Sequence, residues 1–248
     1  MLRMLALLRI VVFIFTLLIF VSIFLPLNAL FSLSFETRFR IRSLFCQLAM
    51  IIYGVKLKIQ GQAVHHQGPF LIVCNHRSLL DPVICARYFH AFFLSKAEVK
   101  SYPLIGAGSR LTGVIFVRRD DKTSRKMSRE GIKNVLQSGF NVMVYPEGTT
   151  NDKPLTKQFY KGTFEIASEL NIAVIPVILE YKDRNDYWTS GGLWMKSIEQ
   201  FSKWHTAMHL WIGEPIKADD PLELMENTRM LMDKKIREVQ EEWGNWKE

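Results

Sequence analysis

The sequence predicts an α/β fold: a mostly parallel sheet flanked by helices, preceded by an N-terminal membrane helix or helical hairpin. Three observations predict it. Four short apolar runs are typical of buried strands, helical patterns separate them, and a long stretch near the N-terminus carries no charge. Within the 248 residues we therefore expect a membrane-anchoring segment over residues 1–55 and a globular domain over residues 56–248.

The membrane segment rests on "RIVVFIFTLLIFVSIFLPLNALFSLSF", which runs from Arg9 to Phe35 and carries no charge after Arg9. It is long enough to cross a hydrocarbon core of about 30 Å. The apolar core of a cleaved signal peptide is usually about 7–15 residues long and is followed by a small-residue cleavage site. This run is longer and lacks such a site, so we expect the segment to be retained.

A second apolar run, "SLFCQLAMIIYGV" from Ser43, is too short to span a bilayer comfortably, and it either lies in the interface or completes a hairpin. Arginines flank the first run on both sides, so the positive-inside rule does not fix its orientation. They are Arg3, Arg9, Arg38, Arg40 and Arg42. One span and a shallow hairpin therefore both remain open.

The formal net charge of +8 suggests an anionic partner, and beside an apolar N-terminal stretch an anionic membrane surface is the simplest one. A nucleic-acid-binding module fits the charge alone, and the sequence contains no recognition motif for it. Cys46, Cys74 and Cys85 form no CxxC pair, which argues against a disulfide scaffold and a thiolate zinc site. We expect no metal and no cofactor. We also expect the globular domain to lie on the cytoplasmic side of a membrane, which we take to be a bacterial inner membrane.

The strands are expected at residues 70–74, 114–117, 142–145 and 173–179. Between the second and third, "TSRKMSREGIKNVLQSG" predicts a helix that is capped by Thr123 or Ser124 and ends at Gly139. A further helix, "FYKGTFEIASELN", ends near Asn171, and residues 222–243 have a helical pattern. "MHLWIG" from Met208 is a candidate last strand. Alternating strands and helices predict mainly parallel pairing.

Polar residues follow three of these strands where each strand ends. His76 follows the first, Arg118 and Arg119 follow the second, and Glu147 and Gly148 follow the third. Open α/β sheets bind ligands at the carboxyl ends of their strands. The sequence therefore predicts one cleft that holds a histidine, two arginines, and a carboxylate beside a glycine turn.

The stretch "NHRSLLDP" allows two interpretations of His76 and Asp81. Taken alone, it favours Asp81 as a helix N-cap before Pro82, with His76 an ordinary loop histidine. If the chain turns between them, Asp81 can instead orient the imidazole and stabilise it as it takes up a proton. No GxSxG elbow occurs and Cys74 is not expected to be a nucleophile, so the proton would come from a substrate hydroxyl. Transfer would then be direct.

The other motifs also have ordinary interpretations. "VRRDDKTSRKMSR" resembles a solvated, mixed-charge loop and helix face, and "PEGTTN" can be a simple turn. A guanidinium at a strand end nevertheless suits a phosphate, because its planar donors match the oxygens.

With these residues named, the sequence resembles the glycerolipid acyltransferase family, the lysophosphatidate acyltransferase superfamily, over about residues 65–180. Four motifs in the family's order carry the resemblance: "NHRSLLDP", "GVIFVRR", "VYPEGTT" and "VIPVIL". The stretches "KAEVKSYPLIGAG" and "FYKGTFEIA" also match. The resemblance implies acyl transfer from acyl-CoA or acyl-carrier protein to the free hydroxyl of a membrane lysolipid. The acceptor it implies first is lysophosphatidate, which would give phosphatidic acid.

The resemblance also assigns residues. His76 would be the base on the acceptor hydroxyl and Asp81 its partner. The resemblance implies that Lys96, Arg119, Glu147 and Gly148 bind the substrate, with Arg119 matching the arginine of the second motif. We add Arg118, which also stands at the end of its strand, and Thr149 to this predicted substrate-binding set. Pro176 belongs to the fourth motif.

Two departures concern the acceptor. Lysophosphatidate enzymes of the family usually carry an acidic residue where Arg118 stands and an arginine where Thr150 stands. "EGTTN" is more similar to relatives that acylate other lysolipids, including lysophospholipids and lyso-ornithine lipids. An alternative of another class is a catalytically silent lipid-binding or lipid-transfer protein on the same fold.

Overall fold

The computed structural model describes residues 2–62, 68–101, 105–118, 120–188 and 193–244. The regular elements are α1 (Leu2–Phe31), α2 (Phe35–Ile52), β1 (Val55–Gln60), β2 (Leu71–Cys74), α3 (Asp81–Tyr88), β3 (Ala91–Lys96), α4 (Ile105–Leu111), β4 (Val114–Val117), α5 (Lys122–Gln137), β5 (Asn141–Val144), α6 (Gly162–Glu169), β6 (Val174–Tyr181), α7 (Leu193–Phe201), β7 (Thr206–Ile212) and α8 (Pro221–Trp243). Short 3₁₀ turns lie at Ala97–Ser101 and Arg184–Asp186.

The sheet of the described residues has seven strands in the order β1-β7-β6-β2-β5-β3-β4. All neighbouring strands pair parallel except β6 and β7, which are antiparallel. The predicted mostly parallel α/β fold is confirmed, and all five candidate strands form, with ends shifted by up to two residues. β1 and β3 were not expected; β1, "VKLKIQ", is an edge strand that is largely exposed.

Two apolar cores cover the two faces of the sheet, as the alternation of side chains along a strand requires. In β2, Ile72 and Cys74 face the core that includes residues of α2, α3 and α7. Leu71 and Val73 face the opposite core, which α5, α6 and α8 complete. All four side chains are fully buried, so β2 lies at the centre of the domain.

The helix ends follow local chemistry, with one correction. Asp121, not Thr123 or Ser124, caps α5, and its Oδ1 accepts the N–H groups of both those residues. Gly139 (φ +85°) follows the end of α5, and Asn171 (φ +52°) follows the end of α6, as predicted. Thr123 and Ser124 lie inside the first turn of α5, so their N–H groups need a cap, and Asp121, the residue just before the helix, supplies it.

The N-terminal segment forms a helical hairpin, α1 followed by α2, joined at residues 32–34. Among the described residues, α1 alone is long and apolar enough to cross a membrane, judged by length and composition. It does not project from the domain: Arg9 donates hydrogen bonds to backbone carbonyls at and just beyond the end of α7, namely those of Phe201 (3.0 Å), Lys203 and Trp204 (2.8 Å). Just past the other end of α1, the ring of Phe35 lies 4.7 Å from that of Phe92 in β3.

Arg42 fixes α2 to the same domain. Its guanidinium is buried and donates to the carbonyls of Ala91 (3.0 Å), Thr112 (2.7 Å) and Phe89 (3.1 Å). Burial lowers the pKa of Arg42 to about 10, so it keeps its charge at neutral pH. The division at residue 55 stays a prediction.

A buried histidine in β7 predicts how stability varies with pH. His209 is 1% exposed, and within the described residues neither ring nitrogen has a hydrogen-bond partner. Burial, followed by the charge of Lys58, lowers the pKa of His209. The folded protein therefore binds fewer protons than the unfolded chain as pH falls through about 6.5, and this group then destabilises the fold.

We expect His209→Leu to remove this contribution. The melting temperature of the variant relative to wild type should rise as pH falls from 7.5 to 5, measured by thermal unfolding in detergent. Groups that titrate in both proteins, such as Asp186, cancel in the difference. A difference that stays constant with pH would contradict the prediction.

Candidate active site

The site begins where β2 ends, and Asn75 shapes that end. Its side-chain amide imitates a backbone unit: Oδ1 accepts from Leu179 N (2.8 Å) and Nδ2 donates to Leu179 O (2.9 Å). The side chain of Asn75 thus extends the hydrogen bonding between β2 and β6 by one residue, in place of its backbone. The backbone is free to turn at His76, which places the imidazole at the carboxyl edge of the sheet.

Asp81 organises the turn that follows. Its Oδ2 accepts from Arg77 N (2.6 Å), Ser78 N (2.8 Å) and His76 Nδ1 (2.8 Å), and Tyr181 donates its hydroxyl to Oδ1 (2.6 Å). The side chain is fully buried. Segment 76–81 therefore wraps around one carboxylate, which brings together two residues that a continuous helix would separate.

The interpretation of Asp81 as an N-cap is wrong. Asp81 is the first residue of α3 after Leu80, and within the described residues no side-chain bond caps this helix. Its oxygens accept from the residues that precede the helix, because the turn presents two N–H groups to Oδ2. Pro82 does lie in the first turn, as predicted.

The imidazole of His76 is held from several sides. Asp81 engages Nδ1, and the ring stacks on Tyr145 with centroids 4.4 Å apart. The backbone of His76 is fixed too: its N–H donates to Glu147 Oε1 (3.0 Å) and its carbonyl accepts from Asn151 N (2.8 Å). The side chain is 15% exposed. With Nδ1 engaged, Nε2 is the nitrogen that can take up a proton.

Glu147 joins two loops beneath the histidine. One oxygen accepts from His76 N, and the other accepts from Lys157 N (2.9 Å). Burial raises the pKa of Glu147, and the two backbone donors oppose that rise. Gly148 follows with φ +73° and donates its N–H to Tyr145 O (3.0 Å), a backbone conformation that suits glycine. The predicted carboxylate and glycine turn therefore lie directly beside His76.

Arg77 points away from the cleft and is almost fully buried. Its guanidinium donates to Glu180 Oε2 (3.0 Å) and to three carbonyls of the loop after the "PEGTT" motif: Asn151 (3.1 Å), Lys153 (2.5 Å) and Pro154 (2.9 Å). Glu180 also accepts from Gln240 of α8 (3.3 Å) and from the hydroxyl of Tyr187. This buried ion pair fixes the loop that contacts His76 to β6 and α8.

The structure does not bring all predicted site residues to the histidine. Lys96 ends β3 and Arg118 follows β4, and both are exposed. In the strand order these strands lie two and three positions from β2, about 10 Å and about 14 Å along the same edge. Arg118 pairs with Asp121 (3.2 Å), and Arg119 lies outside the described residues.

The two threonines of the third motif differ. Thr149 is exposed beside Gly148, whereas Thr150 donates its hydroxyl to Trp188 O (2.6 Å). Trp188 N in turn donates to Arg77 O (2.8 Å). Thr150, one of the two departures from the family pattern, therefore fixes its own loop to the segment after β6.

Sequence reasoning missed several residues that build the site: Asn75, Arg77, Tyr145, Glu180 and Tyr181. A signal existed for one of them, because Glu180 interrupts the apolar run of β6 and a buried charge requires a partner. The sequence does not say which of many basic residues supplies that partner.

Chemically, the arrangement is an imidazole with one nitrogen held by a buried carboxylate and the other on the cleft side. Such a pair can remove a proton from a hydroxyl and return it to a leaving group. Burial raises the pKa of Tyr145 well above its usual value, so its ring packs on His76 as a neutral wall.

Comparison with known proteins identifies the family of the chain. The acyltransferase family model matches residues 56–180, and the chain belongs to the acyltransferase family. It is 32% identical over 127 residues to a lyso-ornithine lipid O-acyltransferase of Pseudomonas aeruginosa, covering 51% of this chain and 48% of the relative. It is 27% identical over 135 residues to a 1-acyl-sn-glycerol-3-phosphate acyltransferase of Neisseria gonorrhoeae, covering 54% and 53%. The chain spans about half the length of these curated relatives.

The fold has a solved counterpart. The crystal structure of the 1-acyl-sn-glycerophosphate acyltransferase PlsC from Thermotoga maritima superposes with a TM-score of 0.76. The two chains cover each other over 100% of their lengths and are 19% identical in sequence. At this identity the likeness shows the fold alone.

Proposed function

We propose that the protein transfers a fatty acyl chain from a thioester, acyl-CoA or acyl-carrier protein, to the free hydroxyl of a membrane lysolipid. The observation that carries the proposal is the His76–Asp81 contact of 2.8 Å at the carboxyl edge of the sheet, with Asp81 buried and His76 15% exposed. A family of acyltransferases supplies the reaction class, and the geometry supplies a base for it.

The chemistry needs no covalent enzyme intermediate. The acceptor hydroxyl gives its proton to His76 Nε2 while its oxygen forms a bond to the thioester carbonyl carbon. Asp81 stabilises the imidazolium through Nδ1–H. When the carbon–sulfur bond breaks, the imidazolium returns the proton to the departing thiolate, so the products are an ester and a free thiol.

The substrate-binding residues are proposals with different roles. We assign Lys96, Arg118, Arg119 and Thr149 to the acceptor headgroup, because cations and a hydroxyl suit an anionic headgroup. Glu147 has both carboxylate oxygens on backbone N–H groups, so we expect it to act on the acceptor through the loop that it and Gly148 shape. For the acceptor we propose 1-acyl-sn-glycerol-3-phosphate first and a lyso-ornithine lipid or another lysophospholipid as the alternative.

A lysolipid panel tests the function. Purified protein in detergent would receive acyl-CoA or acyl-carrier protein as the donor and, in separate reactions with each donor, lysophosphatidate, lyso-ornithine lipid or lysophosphatidylcholine as the acceptor. We expect one lysolipid to gain an acyl mass that the His76→Asn variant does not produce. If lysophosphatidate is preferred, the protein makes phosphatidic acid. If none gains mass with either donor while labelled lysolipid still binds, the protein is a lipid-binding relative and the proposal fails.

We also propose that the α1–α2 hairpin lies in the membrane leaflet facing the domain and does not span. Both ends of α1 are tied to the same domain, by Arg9 at one end and Phe35 just past the other. A helix of 30 residues, about 45 Å long, cannot cross a bilayer while both ends stay on one side. Most of its exposed side chains are apolar, whereas α2 exposes Arg40 and Gln47 beside its apolar residues. The exposed large apolar side chains of the two helices include Met4, Leu7, Leu8, Val11, Phe15, Ile19, Ile23, Leu30, Phe31, Leu44, Leu48 and Ile51.

Labelling in sealed membranes distinguishes the two arrangements. Arg3→Cys and Ser32→Cys replace exposed residues at the two ends of α1. We expect a membrane-impermeant maleimide to label both from the domain side, with wild type as control because Cys46, Cys74 and Cys85 are buried. Labelling of the two variants from opposite sides would show a span and contradict the proposal.

A further inference from the structure

The hydroxyl of Tyr181 contacts the candidate base pair from outside every motif that the sequence analysis singled out. Tyr181 is the last residue of β6 and is fully buried. β6 runs parallel to β2, so its end lies at the same edge of the sheet as His76. There the phenol donates a hydrogen bond of 2.6 Å to Asp81 Oδ1.

The two oxygens of Asp81 have unequal partners. Oδ2 accepts three N–H donors, from His76, Arg77 and Ser78, whereas Oδ1 accepts from Tyr181. A buried carboxylate oxygen without its donor is costly. The Tyr181 hydroxyl therefore determines both the rotation of the carboxylate and how much of its negative charge faces His76.

We propose that Tyr181 is a positioning residue for the His76–Asp81 pair: its hydroxyl holds Asp81 Oδ1 so that Oδ2 faces the imidazole. The inference rests on the proposed role of His76 as a base. Burial, then the charge of Asp81, raises the pKa of Tyr181 well above its usual value. Tyr181 therefore stays a donor throughout the pH range in which histidine titrates.

Tyr187 provides a matched control in the same region. Its hydroxyl also donates to a buried carboxylate, that of Glu180, and its ring lies 6.1 Å from the ring of Tyr181. Tyr187→Phe and Tyr181→Phe each delete one buried hydroxyl–carboxylate bond. Only the second deletion touches Asp81, so a purely structural role for Tyr181 predicts similar behaviour of the two variants.

Other titratable groups face the pair and are unchanged in both variants. They are Tyr145 from β5, Cys74 from β2, Cys85 from α3 and Glu147 from the loop after β5. The Tyr181 hydroxyl also shares a hydrogen bond with the side chain of Ser78, so a difference between the variants reports the loss of this hydroxyl from Asp81 and Ser78 together.

The test is an NMR titration of ¹⁵N-histidine-labelled protein in detergent, which needs no turnover. The chain has six histidines, and the spectrum of His76→Asn identifies the His76 signals. In Tyr181→Phe more of the Asp81 charge acts on the imidazolium. We expect the titration midpoint of His76 to move up by roughly half a pH unit or more, and to stay at the wild-type value in Tyr187→Phe.

If the wild-type protein acylates a lysolipid, steady-state kinetics supply a second readout. We expect Tyr181→Phe to lower kcat about ten-fold, with the acceptor KM nearly unchanged, and to move the acid limb of the kcat profile to higher pH. A wild-type His76 midpoint in Tyr181→Phe overturns the inference, and so do equal shifts in both phenylalanine variants. Failure of wild type to acylate any lysolipid would instead overturn the proposed function, while the titration would still decide the role of Tyr181.

Discussion

Replacing His76 by alanine is expected to lower kcat by about 10²–10⁴-fold, because this is the range that a general base contributes. The His76 side chain is partly exposed and lies outside the two apolar cores, so its removal should leave the fold intact. The loss should therefore appear in turnover and not in the melting temperature. Initial rates of thiol release under saturating acceptor, measured beside thermal unfolding, check both statements.

His205→Ala is the matched control, since His205 is exposed in the turn before β7 and has no role in the proposed chemistry. It should keep wild-type turnover. Turnover of His76→Ala within about two-fold of wild type would remove His76 from the mechanism. A large fall in its melting temperature would show a structural role.

Replacing Arg77 by methionine has the largest expected effect on stability. The substitution leaves Glu180 as a buried carboxylate without its guanidinium, and removing one partner of a buried pair typically costs about 3–5 kcal/mol. It also releases the carbonyls of Asn151, Lys153 and Pro154, so the loop beside His76 should move. Denaturant unfolding in detergent measures the first effect, and kcat measures the second.

A double variant separates the charge from the loop contacts. Arg77→Met/Glu180→Gln removes both charges, so we expect it to regain part of the stability lost in Arg77→Met. It should not regain kcat, because the loop carbonyls still lack their donor. Equal stability of the single and double variants would show that the unpaired carboxylate is not the source of the loss.

Much of the fold could be predicted because its strands are uniform apolar runs bounded by turn residues. β2, β5 and β6 are buried along their whole length, and an apolar run is what a buried parallel strand requires. β4 is an edge strand and only partly buried, but its sequence is also an uninterrupted apolar run. β1 lies at an edge with alternating lysines, so its sequence carried no such signal. Its pairing with β7 depends on the rest of the sheet.

The site could be predicted in part for the same reason. Strand ends placed His76 and Glu147 at one edge, and the structure puts their loops in direct contact. The roles of Asp81 and Thr150 depend on which donor or acceptor lies opposite each side chain. Those partners, such as Tyr181 and Trp188, lie about 100 and 38 positions away in the chain, where no local pattern connects them.

Length and composition alone do not determine how the α1–α2 hairpin lies relative to the membrane. An uncharged run of this length fits a spanning helix and an interfacial one equally well. The feature that supports the interfacial arrangement we propose is Arg9, which interrupts the apolar segment near its start and donates hydrogen bonds to carbonyls nearly two hundred residues away. A single arginine in an apolar run is thus informative once its partners are known.

The central claim is that His76 activates a lysolipid hydroxyl for direct attack on a thioester. Its most direct test measures thiol release and protein mass in one experiment. Wild type would be mixed with acyl-CoA alone and then with acceptor. We predict no mass gain on the protein with donor alone, and one thiol released per acylated lipid once the acceptor is added. An acyl adduct on the protein, or equal thiol release without acceptor, would contradict direct transfer.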